Sequence, residues 1–213
     1  MPISTLFFDL DDTLYPPTTG IWSLIRQRMD LYMAEKLSID PLVIPGLRRH
    51  LFETYGTTMR GLQVTYHIDE TEYLAYVHDV QVEQRLQPDL KLRAMLLSLP
   101  YRRLIFTNSD QNHAGRVLRC LGIEDCFEQV IDIRLVAPSC KPQPEAYLLA
   151  LNCAGENDPR SCLLADDSPR NLATARALGF ITVQIGGEPA SPPFDAHVQS
   201  VLDLPQALTR FGL

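Results

Sequence analysis

No hydrophobic run in this sequence is long enough to cross a membrane. The apolar stretches all fall short of the roughly 18 residues that a membrane-spanning helix needs. No Lys or Arg precedes Asp9, so a secretory signal peptide, which begins with a positively charged segment, is not expected. We therefore expect no membrane as a partner.

Positive charge is also scarce. The 19 Lys and Arg residues are outnumbered by 26 Asp and Glu residues, which gives a net charge of −7. A protein that binds the phosphate backbone of a nucleic acid carries clustered basic residues on a basic domain. We therefore do not expect a nucleic-acid polymer as a partner either.

Cysteine pairs and two common hydrolase motifs are missing as well. The five cysteines contain no C-x-x-C spacing, and their odd number predicts reduced thiols and a cytoplasmic protein. The five histidines form no H-E-x-x-H zinc motif, and no G-x-S-x-G motif is present. A zinc peptidase and a serine hydrolase of that type are thereby excluded.

The chain does contain a regular succession of short apolar segments and helical segments. Proline near the start and glycine just past the end mark helices at 144–154 and 169–178, and Gly122 ends a third at 111–121. Strands that alternate with helices predict an α/β fold, namely a Rossmann-like, doubly wound parallel sheet. The predicted strands cover residues 5–9, 103–107, 161–165 and 181–185, with a further short one at 129–132.

Residues 16–87 interrupt this alternation. Apolar residues recur there at helical spacing, as in Ile44, Leu47 and Leu51, which predicts helices that pack through these faces. We therefore predict a helical domain at 16–87, inserted after the first strand into a core formed by 1–15 and 88–213. The proline-rich segment 188–194 is predicted to be a surface loop.

Polar side chains gather where the predicted strands end. The carboxyl ends of parallel strands meet at one edge of a sheet, which is where ligands bind in such folds. Several acids at that edge would repel one another, and a hard divalent cation such as Mg²⁺ resolves the repulsion. Hydroxyl, amide and ammonium groups beside the metal suit a phosphate dianion. The residues at this edge are Asp9, Asp11, Thr107, Asn108, Asp166 and Asp167, with Lys141 in a loop before a helix.

The first acidic segment has alternative interpretations. Alone, Asp9 to Thr13 is also compatible with an acidic turn or with the start of a calcium-binding loop. The calcium loop is excluded because its sixth position, counted from Asp9, is Leu14 rather than glycine, and its twelfth is Gly20 rather than glutamate.

The combined motifs resemble those of the haloacid dehalogenase superfamily. FDLDDTL at 8–14 resembles its first motif and Thr107-Asn108 its second. Lys141-Pro142 resembles the third and Asp166-Asp167-Ser168 the fourth. The four occur in order, and the helical insert lies where this superfamily carries a helical cap.

The resemblance implies a Mg²⁺-dependent phosphatase that forms an aspartyl-phosphate. Asp9 would be the nucleophile and Asp11 the general acid and base. Mg²⁺ would be bound by Asp9, the backbone carbonyl of Asp11, and Asp167, with Asp166 ligating directly or through water. Thr107, Asn108 and Lys141 would bind the phosphoryl group.

A closer resemblance is to the pyrimidine 5′-nucleotidase branch. It includes Asp12-Thr13-Leu14-Tyr15, Tyr55-Gly56 with Arg60-Gly61-Leu62, and Asn112-His113-Ala114 after Thr107-Asn108. It implies a small phosphorylated substrate, UMP or CMP. The two glycines beside polar groups suggest a turn shaped for close approach. The candidate substrate-binding residues are Tyr15, Tyr55, Arg60, Tyr66 and His67.

Other activities on this fold remain alternatives. They are a broad-specificity small-metabolite or sugar-phosphate phosphatase, a phosphomutase, a dehalogenase, a phosphonatase and a non-enzymatic binding module. Asp11 and the Asp166-Asp167 pair argue against the dehalogenase. A phosphonatase needs a lysine in the insert, where only Lys36 is found.

Overall fold

The computed structural model of the chain describes residues 3–191 and 194–211. Its centre is a six-stranded sheet in the order β3-β2-β1-β4-β5-β6, in which every neighbouring pair is parallel. Helices follow the strands, and this confirms the predicted α/β fold class. The strands are β1 Thr5–Phe8, β2 Arg102–Phe106, β3 Gln129–Ile131, β4 Cys162–Asp166, β5 Ile181–Ile185 and β6 Ala196–Val198.

The chain divides into two compact units. One consists of Met1–Thr19 and Leu86–Leu213, and the other of Gly20–Arg85. The second unit follows β1 and is helical throughout, as the interrupted alternation predicts. Its division from the rest lies at 20 and 85, a few residues inside the predicted 16 and 87. Its helices are α1 Ile21–Glu35, α2 Ile44–Tyr55, α3 Thr58–Tyr66 and α4 Glu70–Val77.

The helices of the sheet-containing unit begin and end at local signals. In α6, the Asp110 side chain accepts a hydrogen bond from the backbone N–H of His113 at 2.7 Å, which satisfies a donor that the first turn leaves unpaired. The same helix ends at Gly122, whose φ of 69° is readily adopted by glycine. Three helices have the predicted bounds. The helices of this unit are α5 Leu90–Ser98, α6 Gln111–Leu121, α7 Pro144–Ala154, α8 Pro169–Leu178 and α9 Leu204–Arg210.

The sequence predicts a turn that involves both Gly56 and Gly61, and the structure has one only at Gly56. Gly56 does form a turn, with φ 88° at the end of α2. Gly61, however, lies inside α3, where an added Cβ would come within 2.7 Å of the Cβ of Leu51. Gly61 therefore permits close packing of α3 against α2 and is not part of a ligand-binding turn.

The core of the sheet-containing unit fixes the strands that lead to the site. Phe7 of β1 packs edge-on against Phe106 and Phe180, and Phe106 packs against Tyr147 of α7, with ring centroids 5.3–6.5 Å apart. Burial of each such side chain contributes roughly 1.5–3 kcal/mol. β1 is thereby held between its neighbours.

The structure also bears on the predictions about a membrane-spanning helix and about the loop at 188–194. Within the described residues, no helix has the length and apolar character needed to span a membrane. The loop predicted at 188–194 includes residues 192–193, which lie outside the described residues.

Candidate active site

The sheet brings the predicted acids to one edge. Phe8, the last residue of β1, pairs with Ile105 of β2 and with Ala165 of β4. Asp9 therefore lies level with the ends of both neighbouring strands, and its backbone N–H donates to the carbonyl of Ala165 at 2.9 Å. Asp9 and Asp166 are both buried.

Lys141 joins two of these acids. Its ammonium nitrogen is 2.7 Å from Asp9 Oδ1 and 2.7 Å from Asp166 Oδ2, and its side chain is 1% exposed. Burial by itself would lower the pKa of Lys141, but the charges of the two carboxylates outweigh it and hold that pKa above its usual value. The ammonium is therefore charged, and it offsets negative charge inside the site.

Asn108 holds the backbone that carries Lys141. Its side-chain amide donates to the carbonyl oxygen of Lys141 at 2.9 Å, and its Oδ1 accepts from the N–H of Lys141 at 2.9 Å. The nearby Thr107 is buried, and its hydroxyl oxygen accepts from the N–H of Ser109 at 3.0 Å. The side chain of Asn108 thus positions Lys141.

The carboxylate of Asp166 is enclosed by donors. Oδ1 accepts from the N–H of Ser168 at 2.8 Å and from Asn171 at 3.0 Å, and Oδ2 accepts from Asn171 at 3.1 Å besides Lys141. A carboxylate has about four acceptor positions. The four contacts use the acceptor positions of Asp166. One of them is the contact that orients Lys141.

Asp9, Asp166 and Asp167 form an acidic group in which one oxygen from each lies within 4.8 Å of the others. Burial, reinforced by repulsion from the other acids, raises the pKa of Asp9 to about 7 against the opposing charge of Lys141. The same causes raise the pKa of Asp167 to about 8. Oxygen ligands whose charges are costly in isolation fit a hard divalent cation.

Thr13 links two members of this group. Its hydroxyl lies 3.3 Å from Asp9 Oδ2, and its oxygen accepts from the N–H of Asp167 at 3.1 Å. The threonine of the first motif therefore ties the segment after β1 to the end of β4.

Asp11 lies outside the acidic group. Oδ1 contacts the Tyr15 hydroxyl and, at 2.8 Å, His113 Nε2, while Oδ2 accepts from the Ser109 hydroxyl at 2.5 Å. Burial alone would raise the pKa of Asp11, but the charge of His113 and these hydrogen bonds hold it well below its usual range. Asp11 is therefore an oriented, ionised carboxylate.

The structure alters the interpretation of two predicted substrate-binding residues. Tyr15 is 3% exposed, and its hydroxyl is hydrogen-bonded to the carboxylate of Asp11. Arg60, buried in α3, forms an ion pair with Glu70 at 2.6 Å and a hydrogen bond with Gln63 at 2.8 Å. Its guanidinium thus has partners within the helical unit.

The other three candidates in that unit are more accessible. Tyr55 is half-buried at the end of α2, while Tyr66 is 41% exposed and His67 is exposed at the end of α3. They belong to a different unit from the acidic group.

Sequence reasoning assigned no role to several residues that the structure places at the site. Thr13 and His113 occur inside the quoted motifs, and their position in those motifs is the sequence signal that could have identified them. Asn171 lies in the first turns of α8, five residues after Asp166. Ser109 follows Asn108 directly. The contacts of all four depend on the tertiary structure.

The chain matches the family of haloacid dehalogenase-like hydrolases over residues 3–179. It is 29% identical over 188 residues to phosphate metabolism protein 8 of Saccharomyces cerevisiae, with 82% of this chain covered, and it spans 59% of that relative's length.

Solved structures share its fold. A HAD phosphatase from Thermococcus onnurineus superimposes with a TM-score of 0.65 at 19% identity, covering 97% of this chain and 98% of that one. An L-2-haloacid dehalogenase from Xanthobacter autotrophicus has a TM-score of 0.62 at 17% identity, with 97% and 98% covered. At these identities the likeness shows the fold alone. By its sequence match, its sheet and its acidic strand ends, the chain belongs to the haloacid dehalogenase-like hydrolase family.

Proposed function

We propose that this chain is a Mg²⁺-dependent phosphomonoesterase that works through an aspartyl-phosphate on Asp9. The observation that carries the proposal is the contact of the Lys141 ammonium with Asp9, beside the acidic group that includes Asp167. A carboxylate can attack a phosphate dianion only where the negative charge of both is offset.

In the first step, an oxygen of Asp9 attacks phosphorus and forms the new P–O bond. The bond from phosphorus to the substrate oxygen breaks, and Asp11 gives the departing alkoxide the proton that it accepted from water in the second step of the preceding turnover. Lys141 reduces the repulsion between Asp9 and the phosphoryl oxygens. Thr107 and the backbone N–H of Asn108 orient those oxygens.

In the second step, water attacks the aspartyl-phosphate. Asp11, now ionised, accepts a proton from this water, the Asp9–phosphorus bond breaks, and inorganic phosphate leaves with Asp9 restored. The hydrogen-bonded, ionised Asp11 of the structure corresponds to the state that accepts a proton.

Asp9, Asp167 and the backbone carbonyl of Asp11 are the groups that would hold Mg²⁺, whose charge would neutralise the carboxylate and phosphate oxygens. Asp166 accepts a hydrogen bond from Lys141 and would thereby help to hold the ammonium beside these groups. Mg²⁺ is proposed because it prefers carboxylate and carbonyl oxygens together with water.

The proposed substrates are pyrimidine nucleoside 5′-monophosphates, UMP or CMP. This part rests on the resemblance of the segments at Tyr55-Gly56 and Arg60-Gly61-Leu62 to the pyrimidine 5′-nucleotidase branch. The exposed rings of Tyr66 and His67 provide aromatic surface on which a base can stack. The name of the yeast relative supports a role with phosphate compounds and goes no further.

Phosphate release tests the activity and separates it from its alternatives. UMP, CMP, AMP, a sugar phosphate and an aryl phosphate are compared with Mg²⁺ and with EDTA, and halide release from 2-chloropropionate is measured in parallel. We expect Mg²⁺-dependent phosphate release, with UMP and CMP preferred. Halide release without a metal would contradict the phosphatase assignment. Equal hydrolysis of the sugar phosphate would instead support a broad-specificity phosphatase.

The role of the helical unit in selectivity needs matched variants. Tyr66→Ala and His67→Ala are expected to lower the preference for UMP over the aryl phosphate. Arg60→Ala and Glu70→Ala both break the same ion pair, but only the first removes a guanidinium. A change in selectivity that both share reflects the fold of α3, whereas a change confined to Arg60→Ala reflects contact with the substrate.

A further inference from the structure

His113 is a buried residue that takes no part in the two proposed steps. It lies in the first turn of α6 and is 1% exposed, and its Nε2 is 2.8 Å from Asp11 Oδ1. At this distance the two groups are hydrogen-bonded, and Nε2 is the ring nitrogen that faces Asp11.

Two further groups hold the same carboxylate. The Ser109 hydroxyl donates to Oδ2, and the Tyr15 hydroxyl donates to Oδ1. Both oxygens of Asp11 are thus engaged by groups from three places: the segment after β1, the segment after β2, and α6. Rotation of the carboxylate would break at least one of these bonds.

The backbone around His113 is itself fixed. Its N–H donates to the Asp110 carboxylate at 2.7 Å, and the N–H of Gln111 donates to Asp132 Oδ2 at 3.0 Å. Asp132 follows β3, so the first turn of α6 is tied to the edge of the sheet. The imidazole therefore reaches Asp11 from a helical turn whose backbone is hydrogen-bonded to the end of β3.

We propose that His113 is a positioning residue for Asp11. It acts through the Asp11 carboxylate, which its Nε2 contacts. The inference rests on the proposed function, because it assigns His113 a share of the orientation that proton transfer by Asp11 requires. Loss of that orientation affects substrates in proportion to their need for a proton on the leaving oxygen.

The test is a leaving-group series with three variants. Since kcat/KM reports the first step, we compare it for p-nitrophenyl phosphate, whose leaving group needs little protonation, and for an alkyl phosphate. His113→Ala is expected to lower kcat/KM for the alkyl phosphate by about 10- to 100-fold, a loss typical of misplaced catalytic groups. For p-nitrophenyl phosphate we expect a clearly smaller loss. Asp11→Asn is expected to show the same pattern with larger amplitude.

His113→Gln provides the rescue. Its side-chain amide nitrogen is as many bonds from Cα as the imidazole Nε2, so it can donate to Asp11 from nearly the same place. We expect it to restore most of the alkyl-phosphate activity. His197→Ala removes an imidazole that contacts the carbonyls of Gly186 and Gly187, and it is expected to leave the leaving-group ratio unchanged.

The outcomes separate this inference from the function on which it rests. No phosphate release by the wild-type protein overturns both. Release by the wild-type protein with an equal loss for both substrates in His113→Ala, or with no rescue by glutamine at an unchanged Tm, overturns the role of His113 alone. Should His113→Ala not fold, Ser109→Ala removes a donor from the other oxygen of Asp11 and must produce the same substrate dependence.

Discussion

The ammonium nitrogen of Lys141 lies 2.7 Å from a carboxylate oxygen of Asp9, although 132 positions separate the two residues in the chain. Both side chains are buried, and a buried charge is tolerated only when it is paired. The contact therefore pairs the charge of Asp9 with that of Lys141 inside the site.

Replacement of Asp9 by asparagine tests its role as nucleophile. Asp9→Asn keeps the shape of the side chain but removes the attacking oxygen, so we expect turnover to fall by more than about 1,000-fold. Phosphate release measures the loss, and circular dichroism with Tm checks the fold. A variant that retains a tenth of wild-type activity would show that another residue attacks phosphorus.

The raised pKa values of Asp9 and Asp167 predict a pH dependence of stability in the metal-free protein. In the unfolded chain both have a pKa of about 3.9, whereas folding raises them to about 7 and about 8. The folded state therefore binds more protons between these limits. Their contribution to the free energy of unfolding is complete below about pH 4 and is lost as the pH rises towards 8.

Mg²⁺ is expected to counteract this loss. It binds the ionised carboxylates, so the increase in Tm that it produces should be larger at pH 8 than at pH 5.5. Asp167→Asn should reduce this difference, and calorimetric titration should show weaker binding of Mg²⁺. The same increase in Tm at both pH values would contradict the assignment of these carboxylates as ligands.

Two glycines of the helical unit form a matched pair. An alanine at Gly61 would place its Cβ 2.7 Å from Leu51 Cβ, whereas no atom of the residues that the structure describes lies within 4 Å of a Cβ at Gly46 in α2. We expect Gly61→Ala to lower the free energy of unfolding by about 1–3 kcal/mol and Gly46→Ala to raise it by up to about 1 kcal/mol. Urea denaturation measures both, and equal effects would contradict the close packing of α2 and α3.

Within residues 3–191 and 194–211, the buried hydroxyl of Tyr73 has no hydrogen-bond partner, and its ring packs edge-on against that of Tyr32. Tyr73→Phe removes a polar group that has no partner, so we expect the free energy of unfolding to rise by about 1 kcal/mol. In Tyr147 the hydroxyl donates to the carbonyl of Asn171 at 2.8 Å, and Tyr147→Phe should instead lower stability by about 1 kcal/mol. Thermal unfolding of the two variants should therefore differ in sign.

Local signals explain which elements were predictable. The helices α6, α7 and α8 have the predicted bounds because a proline or a capping aspartate starts each first turn and a glycine follows each end. No strand was predicted at β6, which has three residues. β6 is stabilised by its pairing with β5, and a segment of three residues is too short to show a strand pattern in the sequence.

The amino-acid sequence by itself determined the α/β class, the helical insert and the acids at the ends of β1 and β4, because each depends on periodicity or on the end of a strand. Only the tertiary structure decided their partners. It placed Asn108 on the backbone of Lys141, Asn171 on Asp166, and His113 and Tyr15 on Asp11. It also placed Arg60 in an ion pair with Glu70. Two of these contacts join distant segments, since 33 positions separate Asn108 from Lys141 and 102 separate His113 from Asp11. The others join residues nearer in the chain, but in every case the physical reason is the same: hydrogen-bond geometry and burial in the folded chain decide which polar groups meet, and no local pattern records the outcome.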